Sequence, residues 1–279
     1  MPWELPIGAI VQGGLAAYNQ RGRIETITRK IAYFVQHGRL RVVVFGPPGV
    51  GKSTLGGFLA SPTPGSTVAT PYRPSRIIER HAIAGDFAGG LVITPGQQDL
   101  YDQDWEELFS YLRDGTSRIV INVVSWGHHS IATLPYQETN LYQLGISKEE
   151  FVSRHVEESR AAELAMIEQL EAHLLTAKRR IRMITVITKQ DLWWDHRALV
   201  RQHYEHGRYG EIIERVSRER ILRNRGFYHE YCPVSLIGQN FTDGRGEILV
   251  PTTQGYDQGV QQGFQNSLVE TVRAYARRK

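Results

Sequence analysis

The chain has a single cysteine, Cys232, which excludes an internal disulfide framework and a cysteine-only zinc site. It also lacks any apolar run approaching the roughly 18 residues of a membrane span. The first residues, MPWELPIGAIVQGG, lack the basic start, apolar block and small-residue cleavage pattern of a secretory signal, which predicts a cytoplasmic chain without a transmembrane segment. Charge of neither sign dominates: 33 Lys and Arg against 29 Asp and Glu leave +4. That excess accommodates a basic patch for phosphates, acidic partners or a membrane surface, but it is too small to signal nucleic-acid binding. Fixed-period repeats and low-complexity blocks are absent too. What is present, 279 residues with 41% apolar and 22% charged content, suffices for one large soluble globular domain or two small ones.

Residues 23–38, RIETITRKIAYFVQHG, place Ile24, Ile27, Ile31, Phe34 and Val35 on one helical face, with Gly38 as a stop. They predict a helical extension over 1–39, packed first of all on its own domain. From Leu40 onward strand candidates alternate with helix candidates. The strands are expected at 40–45, 76–83, 90–94, 118–126, 182–188 and near 231–235, and the helices near 52–60, 99–114, 148–178, 195–224 and 261–278. This alternation points to a mostly parallel sheet covered by helices. AGDFAGG (84–90) reads as a Gly-rich turn, which makes its flanking strands an antiparallel hairpin. The longest helix opens with the capping pattern Ser147-Lys148-Glu149-Glu150. The last carries Val260, Phe264, Leu268 and Val272 as a stripe for the sheet. Residues 126–146 look irregular and inserted, within one domain spanning 40–279.

VVVFGPPGVGKST matches G-x-x-x-x-G-K-[ST] from Gly46 to Ser53, directly after an apolar strand and before a helix. Gly46, Gly49 and Gly51 allow a tight turn that brings N–H groups toward phosphate oxygens, and the helix N-terminus adds a favourable field. Lys52 places a point charge near the terminal phosphates, in a catalytic as well as a binding role, and Ser53 can ligate Mg²⁺. The cofactor-binding set from this motif is Gly46, Gly49, Val50, Gly51, Lys52, Ser53 and Thr54. The bland alternative is a Gly-rich turn that binds nothing.

The base is read from Thr188-Lys189-Gln190-Asp191, at the end of a strand. An aspartate there can accept from both N1–H and the N2 amino group of guanine, whereas adenine offers neither donor. Unpaired buried polar groups cost about 1 to 3 kcal/mol each, which favours guanine. The aliphatic stem of Lys189 can lie over the purine. The order phosphate loop, switch segment, strand hairpin with x-T-P-G-Q, then T-K-x-D resembles the Ras-like small GTPases of the translation-factor-related P-loop class, over roughly residues 40–278. The resemblance implies a three-layer α/β P-loop NTPase fold with a six-stranded, mostly parallel sheet and one antiparallel strand. It implies bound GTP or GDP with Mg²⁺ and two switch loops that order around the γ-phosphate. It also assigns CPVSLIG to the last base-contacting loop, with Ser235 and Leu236 near the guanine O6.

In that family the segment after the hairpin reads D-x-x-G-Q. Its aspartate holds a magnesium-bound water, its glycine meets the γ-phosphate and its glutamine orients the attacking water. Aligned on Thr94-Pro95-Gly96-Gln97, this chain offers Gly96 and Gln97 but has Ile93 at the aspartate position, 41 residues after Lys52. The other match, Asp86-Phe87-Ala88-Gly89, keeps the aspartate but lacks a following glutamine. The departure is similar to the bacterial and archaeal MglA-type polarity GTPases, and it implies a slow hydrolase aided by a protein activator or effector at the switch region. Gln97 is the catalytic candidate. The first switch falls in 61–76, where Thr70, 17 residues after Ser53, is first choice for the metal-binding threonine and Thr67 second. Arg73 and Arg76 either form a solvated edge or supply charge. Two rival functions remain: a nucleotide-binding scaffold without turnover, and an ATP-using P-loop enzyme. His128 and His129 read as a polar loop at the nucleotide rim rather than a metal site. Of Trp193 and Trp194, at least one reads as a core anchor.

Overall fold

The computed structural model describes residues 40–61, 78–82, 89–94, 101–115, 117–131 and 134–277. The expected N-terminal helix, Thr67, Thr70, Arg73, Arg76, Asp86, Gly96 and Gln97 lie outside the described residues.

Six strands build the main sheet: β1 (Leu40–Phe45), β2 (Glu79–Ala82), β3 (Gly89–Ile93), β4 (Ser117–Val124), β5 (Ile181–Ile187) and β6 (Phe227–Pro233). Their order is β2-β3-β1-β4-β5-β6, with β2 antiparallel to β3 and every other pair parallel. The central strands are apolar along their length because helices cover both faces; all seven residues of β5 are buried. Side chains alternate across the pleat, so consecutive residues feed two different cores. Val43 and Phe45 pack with α2 (Tyr101–Arg113), α3 (Lys148–Thr176) and α6 (Arg208–Leu222). Val42, Val44 and Ile93 pack with α1 (Lys52–Ala60) and α7 (Gln258–Arg277). The expected architecture is therefore present: a mixed α/β fold with a mostly parallel sheet between two helical layers. In the stripe on α7, Leu268 and Val272 are buried and Phe264 is packed against them.

Three expectations need correction. After α4 (Gln190–Trp193), the helix expected over 195–224 is broken into a 3₁₀ turn at Trp194–His196, α5 (Arg197–Arg201), a π-helical turn at Gln202–His206 and α6. Gly207 is extended and ends the run. The break carries Tyr204 inward, where its hydroxyl donates to Glu163 Oε2 at 2.6 Å and accepts from Trp126 N at 2.9 Å. At the start of α3, Ser147 Oγ accepts from Glu150 N at 3.1 Å as expected, but the Glu150 carboxylate turns to Arg154 at 2.6 Å. Two short strands, β7 (Phe241–Thr242) and β8 (Ile248–Val250), form an unforeseen second sheet. Phe241 and Leu249 join Phe151 and Leu192 in a satellite core that also receives Ile131, Tyr136 and Tyr142 from the irregular 126–146 segment. Tyr136 N donates to Asp243 Oδ2 at 3.1 Å, which ties this segment to the small sheet.

Candidate functional site

In a parallel sheet every strand delivers its following loop to the same edge, and ligands bind where the strand order diverges. Here β1 has β3 on one side and β4 on the other. The loops after β1, β4, β5 and β6 therefore meet at the carboxyl edge.

The loop after β1 turns with Gly46, Gly49 and Gly51 at φ 145°, 76° and 98°. L side chains rarely adopt such angles, and at two positions space forbids one as well. A Cβ on Gly46 would stand 2.4 Å from Val123 O, and one on Gly49 would stand 2.7 Å from Ser130 N. Val50 is buried beneath the loop and Thr54 is half-buried on α1. Lys52, 7% exposed, folds onto its own loop, with Nζ donating to Gly46 O at 2.7 Å and Pro47 O at 2.8 Å. Burial lowers its ammonium to about 7, against an opposing pull from Glu79. Ser53 is exposed, and its Oγ donates to Glu79 Oε1 at 2.6 Å.

Residues after β5 brace this loop from the other side. Thr188 Oγ1 donates to Val50 O at 2.7 Å and to Val124 O at 3.0 Å. Lys189, left-handed at φ 56°, sends Nζ to Gly49 O at 3.0 Å, His128 O at 2.5 Å and Ser130 Oγ at 2.9 Å. Burial lowers this ammonium also to about 7, opposed by Asp191 and Glu163. The expectation for Lys189 concerned its stem against a purine; the structure adds that its charged end staples two loops together. Trp193 is the expected core anchor, 2% exposed, with Nε1 donating to Thr188 O at 2.8 Å. Trp194 is only half-buried and lies under the Arg197 guanidinium, 3.8 Å from the ring centroid.

Asp191 is 2% exposed and satisfied from within the chain: Ser235 Oγ donates to Oδ1 at 2.6 Å and Gln239 N to Oδ2 at 3.0 Å. Burial raises its carboxyl above the ordinary value, with those two bonds and Lys189 pulling the other way. Ser235 and Leu236, which the resemblance assigns to the guanine O6, sit beside Asp191, Ser235 by its own hydroxyl and Leu236, 6% exposed, as the next residue. Gln261 and Gln265 Nε2 hold Ser235 O at 3.2 and 3.0 Å.

Sequence reasoning missed two carboxylates. Glu79 lies directly across from Ile93 in the β2–β3 register, so the two side chains share a face of the sheet. The signal is invisible in a linear motif because it depends on strand pairing. Glu163, fully buried on α3, accepts from Ser125 N at 2.8 Å, Gly127 N at 3.2 Å, His129 Nε2 at 3.0 Å and Tyr204 OH at 2.6 Å. Burial pushes its carboxyl up, but the bonds from His129, Tyr204 and the Ser125 N–H outweigh it and leave it below the ordinary value. His128 and His129, read from the sequence as a polar loop at the nucleotide rim, are 5% and 7% exposed and belong to a buried support for the Gly-rich loop. Ser130 N closes that support on Gly49 O at 3.0 Å.

Ile93, 1% exposed, is a core residue. Its Cδ1 fills the space above Gly56 on α1, where an added Cβ would stand 2.5 Å away. Next to it Thr94 is 1% exposed, and its hydroxyl finds no partner among the described residues. Among the described residues no three His, Cys, Asp or Glu side chains gather as a metal cage. A metal here would depend on phosphate oxygens as well as protein, the usual situation for Mg²⁺.

No protein-family model matches the chain. No curated protein matches it either. Among solved structures it is similar to the signal recognition particle receptor SRb-GTP/SRX complex from Chaetomium thermophilum, at 17% identity over 75% of this chain and 95% of that one, with a TM-score of 0.39. It is similar also to the mammalian SRP receptor, at 12% identity over 82% of this chain and 98% of that one, with a TM-score of 0.40. Neither match decides the family, and neither is an MglA-type protein. Among the described residues no helix is long and apolar enough to cross a membrane.

Proposed function

We propose that the chain is a guanine-nucleotide-binding switch that hydrolyses GTP slowly with Mg²⁺ and is regulated by a protein partner, as a Ras-like domain over 40–279 with a helical extension before it. The observation that carries this reading is the double anchoring of the glycine loop. Thr188 and Lys189 grip Val50 O and Gly49 O, so the phosphate loop and the base-reading strand end form one rigid unit. A Gly-rich turn that bound nothing would have no need of a buried ammonium beneath it.

The residues present suit a phosphate chain with Mg²⁺: a loop whose Gly46 and Gly49 pack too closely on Val123 and Ser130 to admit a Cβ, an ammonium at Lys52, and a hydroxyl at Ser53 already paired with a carboxylate. Ser53 and a first-switch threonine, Thr70 by its spacing, would hold the metal. Bound Mg²⁺ neutralises charge developing on the phosphates. Lys52 exchanges its two carbonyl partners for phosphate oxygens, which restores the charge that burial suppresses. Asp191 reads the base. Its carboxylate has acceptor capacity for about four bonds and takes Ser235 Oγ and Gln239 N within the chain, so guanine N1–H and N2–H would bind by adding to or replacing these partners. Gln97 and Gly96 act on the water and the γ-phosphate, and the partner completes the switch.

Ile93 favours a second reading, a nucleotide-binding scaffold without turnover, because its side chain is committed to the core. Single-turnover GTP hydrolysis with the unaltered chain and Gln97→Ala separates the two. The switch predicts slow phosphate release that falls at least about tenfold in the variant. Absence of release under every condition, candidate partners included, supports the scaffold.

A further inference from the structure

We propose that Glu79 supplies the carboxylate of the magnesium site, in place of the aspartate whose position Ile93 takes; the proposal rests on the nucleotide-binding reading above. β2 and β3 are antiparallel with Glu79 opposite Ile93, so a carboxylate on either strand at this level projects toward α1. Ile93 uses that level for packing against Gly56. Glu79 uses it for the first turn of α1, where its Oε1 stands 2.6 Å from Ser53 Oγ.

A serine hydroxyl that gives a lone pair to a cation must direct its hydrogen elsewhere, and the preferred acceptor is an anionic oxygen. Glu79 Oε1 already receives that hydrogen, which turns the Ser53 lone pairs outward. The second oxygen, Oε2, faces His81 Nε2 at 3.4 Å. The His81 ring lies over Gly56, where an added Cβ would stand 3.1 Å from it. Glu79 is therefore a positioning residue: it orients the serine ligand and adds negative charge beside the cation. The edge strand has moved the acid one strand outward, and β3 has kept an apolar side chain.

The test is release of fluorescently labelled GDP into excess unlabelled GDP as Mg²⁺ is titrated, with Mn²⁺ binding to the GDP complex followed by electron paramagnetic resonance. In the unaltered chain Mg²⁺ slows release. Glu79→Gln is expected to raise the half-maximal Mg²⁺ and the Mn²⁺ dissociation constant by at least about tenfold, while release in EDTA changes by less than about threefold. Glu79→Asp, which keeps the charge and shortens the reach, falls between and serves if the glutamine variant does not fold. A Mg²⁺ requirement in Glu79→Gln within twofold of the unaltered chain overturns the proposal and leaves the nucleotide reading standing. Labelled GDP that binds the unaltered chain without any response to Mg²⁺ also overturns it. Failure of the unaltered chain to bind guanine nucleotide at all overturns both.

Discussion

Glu163 is the residue on which the rear wall of the site depends. Its carboxylate gathers two backbone N–H groups, an imidazole and a phenol into a space closed to water. Trp126, between two of those donors, is held at φ 51°, a conformation that a bulky residue adopts only when its surroundings insist. Glu163→Gln keeps the shape, removes the charge and presents N–H groups where only acceptors are wanted. It should cost about 2 to 4 kcal/mol in urea unfolding, with a lowered midpoint; an unchanged midpoint would mean that the network is incidental. Nothing in the sequence announces this. Glu163 sits in a long helix with six other glutamates, and its partners are 34 to 41 residues away. Lys52, Ser53 and Asp191, by contrast, are legible because their chemistry is compressed into short contiguous patterns. Glu79 lies between the extremes, a polar residue in a four-residue strand whose role exists only through cross-strand register.

At the level of elements, the segment after β5 departs furthest from its sequence. Residues 195–224 carry helical periodicity throughout, and periodicity reports which face is apolar, not whether the run is continuous. The π-helical turn and the extended Gly207 let Tyr204 and Tyr209 both enter the core, 5.2 Å apart and edge to face. Tyr209 OH then receives Asn122 Nδ2 at 2.8 Å, so the break also gives a buried donor inside β4 its acceptor. Gly210 permits the close return of the chain: an added Cβ would stand 2.2 Å from Glu205 O and 2.9 Å from Tyr204 O. Gly210→Ala, normally stabilising in a helix, should here destabilise by about 1 to 3 kcal/mol, read as a lowered thermal midpoint; a raised midpoint would show that the break is easily straightened. The β7–β8 pair escaped notice for a different reason. Strands of two and three residues carry no alternation to detect, and their stability comes from the satellite core they share with the 126–146 segment.

For the molecule as a whole, buried histidines set the acid side of its stability. Burial pushes His128 and His229 from the ordinary 6.5 to about 3, and His155 to about 4. Between pH 6.5 and about 4 the unfolded chain binds protons that the native chain refuses, so stability rises with pH across this window and is fully present above it. Glu163, held below its ordinary value, acts in the same direction at lower pH, and Asp191, raised by burial, acts against it. Each histidine contributes up to about 1.4 kcal/mol per pH unit, so acidification from 6.5 to 5 should remove roughly 3 kcal/mol or more. Urea titrations at several pH values read this directly, and a stability flat from pH 7 to 5 would contradict it. The mostly parallel sheet was legible from alternating apolar strands and helices, because burying a sheet on both faces leaves few alternatives, and its antiparallel pair from the Gly-rich turn at 84–90; the strand order emerges only from the pairing.

The most direct measurement of the central claim is competition of unlabelled GTP and ATP against labelled GTP, in the unaltered chain and in Asp191→Asn. With Asp191 accepting from two guanine donors, GTP should outcompete ATP by at least about a hundredfold, and the asparagine variant should narrow that gap by weakening GTP alone. Equal competition by ATP, or a preference that survives in Asp191→Asn, would contradict the account.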